Sequence, residues 1–535
     1  VKKVILGLVI LSLLITGCAK KVINTPYPKP TETTIIPTSP VPEITLTLKP
    51  ENVVKAQTDW WNNSVFYEIF VRSFYDSNGD GIGDFRGLTQ KLDYLNDGDK
   101  KTTQDLGVTA LWLMPIFPSY SYHGYDVTDY MTVNPQYGTM NDFKLLVKEA
   151  HSRGIKIIID LVINHTSDQH PWFKAAQDPS SPYHDYYIWS ATDPGYLGPS
   201  NQRVWHQAAN GQYYYGIFDA SMPDLNHRNP AVTEEIHKIV KFWLTDVGID
   251  GFRIDGARHL VEEGRKQVNT TSTHDWFKAF HKFYKRLNPE AVTVGEVWDT
   301  SSNIAGYVAG DELDMAFDFD LASAFVQSAA GRSSFLTNTT LANDLPLFQN
   351  GLSMATFLSN HDINRSYNSF GNMVDKAKNA ATIFLTSPGV PFVYYGEEIG
   401  MTGEKPDELI RTPMQWNNEI NAGFSTANPW ESVNQNYTSV NVEQEQSNPD
   451  SLLSFYKKVI NIRASNPVLQ TGDYYSGSYA DSSVFVSLRA NGSVGVLTIV
   501  NLTNKDIDKA AFSLSVSSLK GTFKAIDLLT GKEYQ

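Results

Sequence analysis

The segment GFRIDGARH, residues 251–259, has the short apolar profile of a buried strand yet carries Arg253, Asp255, Arg258 and His259. Buried charges cost several kcal/mol unless they are paired or used, so these four need a reason. Three further apolar runs end in ionisable groups: KIIIDLVINH supplies Asp160 and His165, TVGEVW supplies Glu296, and FLSNHD supplies His361 and Asp362. A structural ion network accounts for any one of these runs. All four together point to one shared site. Clustered carboxylates repel, so at least one is expected to hold its proton while a neighbour stays ionised near Arg253. One protonated acid beside one anionic nucleophile is the equipment of retaining glycoside hydrolysis, with the two carboxyls ~5 Å apart.

Groups this far apart in sequence meet only if the runs carrying them lie parallel with their ends aimed one way. Strand-like runs cover residues 65–71, 110–114, 156–163, 251–255, 291–297, 314–319, 355–360 and 390–395. Amphipathic stretches such as MNDFKLLVKEAHSRG and VTEEIHKIVKFWLTDVG, with apolar residues recurring at three and four, lie between them. Eight strands alternating with helices predict an α/β fold, a (β/α)8 TIM barrel with active groups at the C-terminal strand ends. Alternation along GFRID then turns Phe252 and Ile254 toward the helices and Arg253 and Asp255 inward.

Two segments depart from a bare barrel. Residues 166–228 are rich in Pro, Gly, Tyr and Trp, lack helical period and exceed any ordinary βα loop, which predicts a small inserted domain after the third strand. Residues 466–535 alternate and are rich in turns, with Asn491-Gly492 expected as a hairpin turn, and predict a C-terminal antiparallel β-sandwich. The catalytic barrel is then expected over residues 58–165 and 229–465.

Residues 1–17 read as a signal peptide: Lys2 and Lys3 precede a short apolar run, which closes in ITGCAKK. That ending resembles the lipobox of bacterial lipoproteins, which implies a diacylated Cys18 and an extracytoplasmic protein held on the outer face of a membrane by lipid alone. Residues 18–57, rich in Pro and Thr, are expected to form a tether. Cys18 is the only cysteine, so an internal disulfide is impossible. A net charge of −14 argues against a nucleic-acid partner. We expect a monomer.

The ordered motifs DLVINH, MPDLN, GFRIDGARH, GEVW and FLSNHD resemble those of the α-amylase family of glycoside hydrolases, family 13, over about residues 60–535. The resemblance implies Asp255 as nucleophile, Glu296 as general acid and then base, and Asp362 as the carboxylate that grips sugar hydroxyls in the transition state. It implies that Arg253 orients Asp255, that His123, His165 and His361 hydrogen-bond the sugar in the cleaved subsite, and that Tyr125 stacks beneath it. Arg365 matches an Arg that pairs with subsite carboxylates. The inserted and C-terminal segments correspond to the family's domains B and C, and the substrate implied is an α-glucan.

DSNGDGIGD repeats the first nine positions of an EF-hand loop, with Asp76, Asn78, Asp80, the Ile82 carbonyl and Asp84 as oxygen donors. Position twelve is Gly87, so the bidentate Glu is missing. Ca2+ is expected there in preference to Mg2+. By resemblance, Asn164, Asp224 and the His259 carbonyl match a second Ca2+ between domains A and B. QYGTMNDFKLLVKEAHSRGIKIIIDLVINHTSDQHPWF is similar to the oligo-1,6-glucosidase and α-glucosidase branch, and MPDLN to groups between it and the neopullulanases. Tyr122 replaces the acid that caps the pocket of α-glucosidases, and ARH, with Arg258 and His259, is similar to the Lys-His pair of α-amylases on the leaving-group side. Endo-acting cleavage of α-1,4 links is therefore expected. An α-glucosidase, a cyclomaltodextrinase, a 4-α-glucanotransferase and a non-catalytic sugar-binding lipoprotein are the alternatives.

Overall fold

Strands β1 (Phe66–Ile69), β2 (Ala110–Leu113) and β3 (Lys156–Leu161) open a closed parallel barrel. Three short strands follow outside it, β4 (Trp189–Ser190), β5 (Trp205–Gln207) and β6 (Tyr213–Tyr215). The barrel resumes with β7 (Gly251–Ile254), β8 (Val292–Gly295), β9 (Met315–Phe317), β10 (Met354–Thr356) and β11 (Val390–Tyr394). Around the barrel the order is β1-β11-β10-β9-β8-β7-β3-β2. Seven of the eight barrel strands fall inside a run predicted from the sequence, and β10 overlaps its run, 355–360, starting one residue earlier at Met354. This computed structural model describes residues 59–99, 101–492, 494–507, 511–514 and 524–534; the signal segment, Cys18 and the tether lie outside the described residues. No helix among the described residues is long and apolar enough to cross a membrane.

The helices start where local chemistry can satisfy their free N–H groups. Helix Met140–Ser152 begins at a capping box: the Thr139 hydroxyl accepts from the Asp142 N–H, and the Asp142 carboxylate accepts from the Thr139 N–H at 2.9 Å. Helix Pro230–Lys241 starts with Asn229 as cap and Pro230 in the first turn, and a π-helical turn, Phe242–Val247, carries it to Gly248 in a left-handed conformation.

Two apolar layers hold the barrel. Ile157, Ile159, Leu161, Phe252 and Ile254 pack outward against the helices. Phe66, Trp112, Ile158, Val292, Val294, Phe317 and Phe392 fill the interior, with the Phe66 and Phe392 rings stacked at 4.3 Å. Period-two alternation places both sets on the same strands.

The inserted segment forms an antiparallel sheet in the order β4-β6-β5, around Val204, Trp205, Tyr215 and Ile217. A β-bridge between His165 and Asp224 ties its return to the end of β3. At the C-terminus, β12 (Asp473–Tyr479), β13 (Val484–Asn491), β14 (Val494–Asn501) and β15 (Phe512–Leu514) form a sheet in the order β14-β13-β12-β15, and β16 (Ala525–Ile526) pairs with β17 (Glu533–Tyr534). The hairpin sits one residue later than expected. Asn491 pairs with Val494, so Asn491 ends its strand and Gly492, at φ +65°, begins the turn.

Candidate active site

Seven side chains converge at the C-terminal ends of β1, β3, β7, β8 and β10. Strand β7 ends at Ile254, which puts Arg253 on the inner face and Asp255 just beyond it. The Arg253 guanidinium donates to Asp160 and to Asp255, both at 2.6 Å, and lies 3.0 Å from Glu296. One cation therefore holds three carboxylates from three strands. Gly256, in a left-handed turn at φ +52°, directs its N–H to Glu296 at 3.0 Å. That left-handed conformation favours glycine, and a Cβ there would also press on the Phe218 ring at 2.9 Å.

His361 is the second hub. It contacts Glu68 at 2.6 Å, Asp362 at 2.9 Å and the Tyr125 hydroxyl at 2.6 Å, and its ring stacks on Tyr125 at 5.7 Å. Trp112 donates to Asp160 at 3.1 Å from the layer below. His123 accepts the Tyr125 N–H through Nδ1, and His165 meets the Tyr125 carbonyl at 3.1 Å. Tyr125, His123, His165 and His361 thus form one continuous wall.

Side-chain exposure separates the acids by task. Asp160 and Glu68 are 0% and 2% exposed, whereas Asp255, Glu296 and Asp362 keep 11%, 16% and 26% open to the mouth. Only the last three can touch a substrate.

The electrostatics refine the sequence expectation. Burial pushes Asp255 up to about 7, against the pull of Arg253 and with Glu296 and Asp160 adding to the rise. Burial likewise raises Asp160 and Glu68. For Asp362 burial acts in the same direction, but His361 and then Arg411 overcome it and hold its carboxyl well below the usual range. His361, despite burial, is lifted to about 9 by Asp362 and Glu68. The firmly ionised acid is therefore Asp362, because Arg253 divides its charge among three carboxylates. Burial lowers His165 and His259 to about 4, so both imidazoles are neutral at pH 7.

Arg365 does not take the place expected for it. It is buried, donates to the carbonyls of Ile410 and Tyr395, and lies over the Tyr394 and Tyr395 rings. Arg411 pairs with the carboxylate instead, donating to Asp362 at 3.0 Å, Asp407 at 3.1 Å and the His361 carbonyl at 2.8 Å. Motif reading missed it because it sits in an aperiodic loop after β11; its one signal is a lone Arg opening the uncharged run RTPMQW. Glu68 was also missed, though it occupies an inward position of VFYEIFV.

At the rim, Arg258 donates to the Trp298 carbonyl and contacts Asp299 at 3.3 Å and His259 at 3.1 Å. Trp298 is 46% exposed. Tyr122 stacks on Trp430 at 5.1 Å and 22°, with Arg411 beside it.

Two places have donor sets for a cation. In the loop after β1, Asp76 accepts N–H bonds from Asn78, Gly79 and Gly81 and an O–H bond from Ser425, and Asp84 accepts from Ser77 and Gly87. The loop's carboxylates, the Asn78 amide and the Ile82 carbonyl are oxygen donors of the kind a hard cation takes, but here the Asp76 and Asp84 carboxylates are turned to these N–H and O–H groups and do not converge with Asp80 on one point. Beside the inserted sheet, Asn164 is buried and leaves its amide oxygen and nitrogen without a well-formed hydrogen bond, next to buried Asp224, whose carboxylate accepts the Ile217 N–H at 3.0 Å. Among the described residues no group of three or more His, Cys, Asp or Glu side chains is placed to hold a metal, so each set depends on amide and carbonyl oxygens.

The chain matches the family described as alpha amylase, catalytic domain, over residues 68–472. It is 44% identical over 417 residues to alpha-amylase 3 of Dictyoglomus thermophilum, covering 77% of this chain and 79% of that protein. It is 34% identical over 525 residues to an oligo-1,6-glucosidase of Parageobacillus thermoglucosidasius, covering 83% and 91%. The solved structure of an alpha-amylase from H. orenii superposes with a TM-score of 0.77 at 45% identity, covering 83% of this chain and 90% of that one. With these motifs on these strand ends, the chain belongs to the α-amylase family of glycoside hydrolases.

Proposed function

We propose that the protein is an endo-acting α-amylase that hydrolyses α-1,4-glucosidic bonds of starch, glycogen and maltooligosaccharides with retention. The observation that carries this is the pairing of Asp255 and Glu296 on one Arg253, which holds two carboxyls close together at the barrel mouth, as a nucleophile and an acid flanking one glycosidic bond require. Asp255 attacks the anomeric carbon as Glu296 gives its proton to the leaving oxygen. The resulting β-glucosyl ester is opened by water, which Glu296 deprotonates. Asp362, kept ionised by His361 and Arg411, accepts hydrogen bonds from ring hydroxyls, and neutral His165 donates one.

Endo action is supported by the mouth. Tyr122 and Trp430 present a stacked aromatic wall in place of a capping carboxylate, so a chain can run past the cleaved ring. The test is chromatography of early products from soluble starch, maltotriose, isomaltose and cyclodextrin. Mixed long oligosaccharides from starch are expected; glucose alone from the outset would overturn endo action in favour of an exo-glucosidase.

The loop of Asp76, Asn78, Asp80, Ile82 and Asp84 is proposed to hold Ca2+, and Asn164, Asp224 and the His259 carbonyl a second ion that would brace the inserted sheet against β3. Chelator should lower the melting temperature and Ca2+ restore it; no response would remove both ions. A lipid anchor at Cys18, placing a monomeric enzyme outside the cytoplasm, predicts diacylglycerol on that thiol by mass spectrometry.

A further inference from the structure

On the flank of the barrel, helix Phe335–Asp344 runs beside β12, and the gap between them forms two furrows of about 440 Å³ each. Asn338 and Ala342, one helical turn apart, line both, so the two are parts of one trough. Phe335, 63% exposed, stands in one part with Tyr479; Tyr474 and Tyr475 stand in the other.

Three features say what the trough is for. No Lys or Arg lines either part, which removes phosphate and other anionic polymers as ligands. The helix itself, FLTNTTLAND, has one charged residue, Asp344, and that one is buried, so the helix wall of the trough is neutral; the facing wall adds two exposed carboxylates, Asp473 and Asp481, which can accept hydrogen bonds from hydroxyls. Thr and Asn are poor helix formers, and a surface helix selected for stability alone would carry Ala, Glu or Lys. What the helix offers instead is amides, hydroxyls and an aromatic face. Flat aromatic surface bordered by amides, hydroxyls and a carboxylate in each part, with no cation, is the chemistry that binds a sugar ring, by its C–H face and its hydroxyls.

We propose that this trough is a second glucan-binding site, separate from the catalytic mouth, that holds a neutral polysaccharide strand while the barrel cleaves. The proposal rests on α-glucan being the substrate. An extended trough suits a polymer, and a polymer held at two points gains effective concentration at the second.

The test uses the full chain carrying Glu296→Gln, which removes digestion, run by electrophoresis through gels containing soluble starch. Phe335→Ala, and separately Ala342→Lys, which drives a long charged side chain into the trough from an exposed position, are expected to cut retardation by at least half. In the active enzyme the same two substitutions should leave kcat/KM on maltotriose within two-fold and lower the rate on starch granules several-fold. Unchanged retardation and unchanged granule hydrolysis in both variants would overturn the trough. If the parent enzyme fails to hydrolyse starch while Glu296→Gln is retarded and Phe335→Ala is not, the trough stands and the catalytic proposal falls.

Discussion

The floor and the rim of the barrel interior are built from the same strands two residues apart, yet they do opposite work. On β1 Phe66 lies in the apolar floor and Glu68 in the charged rim; on β3 Ile158 is followed by Asp160. The floor is held by area and shape, where a lost methylene costs a fraction of the total. The rim is held by pairing, where removal of one ion strands several others. Position along a strand, one pleat up or down, thus decides whether a residue packs or reacts.

That contrast can be broken at several points. Glu296→Gln should cost about 10²- to 10⁴-fold in kcat on starch with little change in melting temperature, since the amide keeps a partner for Gly256; unaltered hydrolysis would remove Glu296 from catalysis. Arg253→Met should cost about 3–5 kcal/mol in urea unfolding besides abolishing activity, because three carboxylates lose their shared cation. The two arginines should separate: Arg411→Ala is expected to lower kcat strongly through Asp362, whereas Arg365→Lys should lower the melting temperature and leave kcat of the folded enzyme intact. On the floor, Ile158→Val should cost only about 0.5–1.5 kcal/mol, with kcat/KM within two-fold.

The pH dependence sharpens the comparison without mutation. The folded pKa of His361, about 9, lies above its unfolded value, so its contribution is fully present below about 6.5 and is lost as pH rises through about 9. The melting temperature should fall over that window, and less so in His361→Asn. Asp255, raised to about 7, has to be ionised to serve as the proposed nucleophile, so kcat/KM should climb as pH rises through about 7. The floor has no titrating group and predicts no such dependence.

Much of this is legible in the sequence alone. All eight barrel strands could be read because apolar runs and helical periods are local patterns, and Asp255, Glu296, Asp362, His361 and His165 could be placed because each ends such a run. Residues that act from loops were not legible. Arg411 and Trp430 belong to no periodic element, and Arg365, adjacent to a motif, looked functional while being bound to backbone carbonyls. The hairpin register was off by one because the turn residue, Gly492, is fixed by the pairing of Asn491 with Val494 and not by the dipeptide alone.

By itself the sequence determined which residues face inward and which strand ends carry acids, because alternation along a strand and capping at a helix start depend only on near neighbours. The tertiary structure decided who pairs with whom: that Arg253 serves three carboxylates, that Glu68 and Asp362 charge His361, and that Asp362 and not Asp255 is the firmly ionised acid. Those outcomes depend on burial and on fields between groups up to 293 residues apart in the chain, which come into being only when the barrel closes.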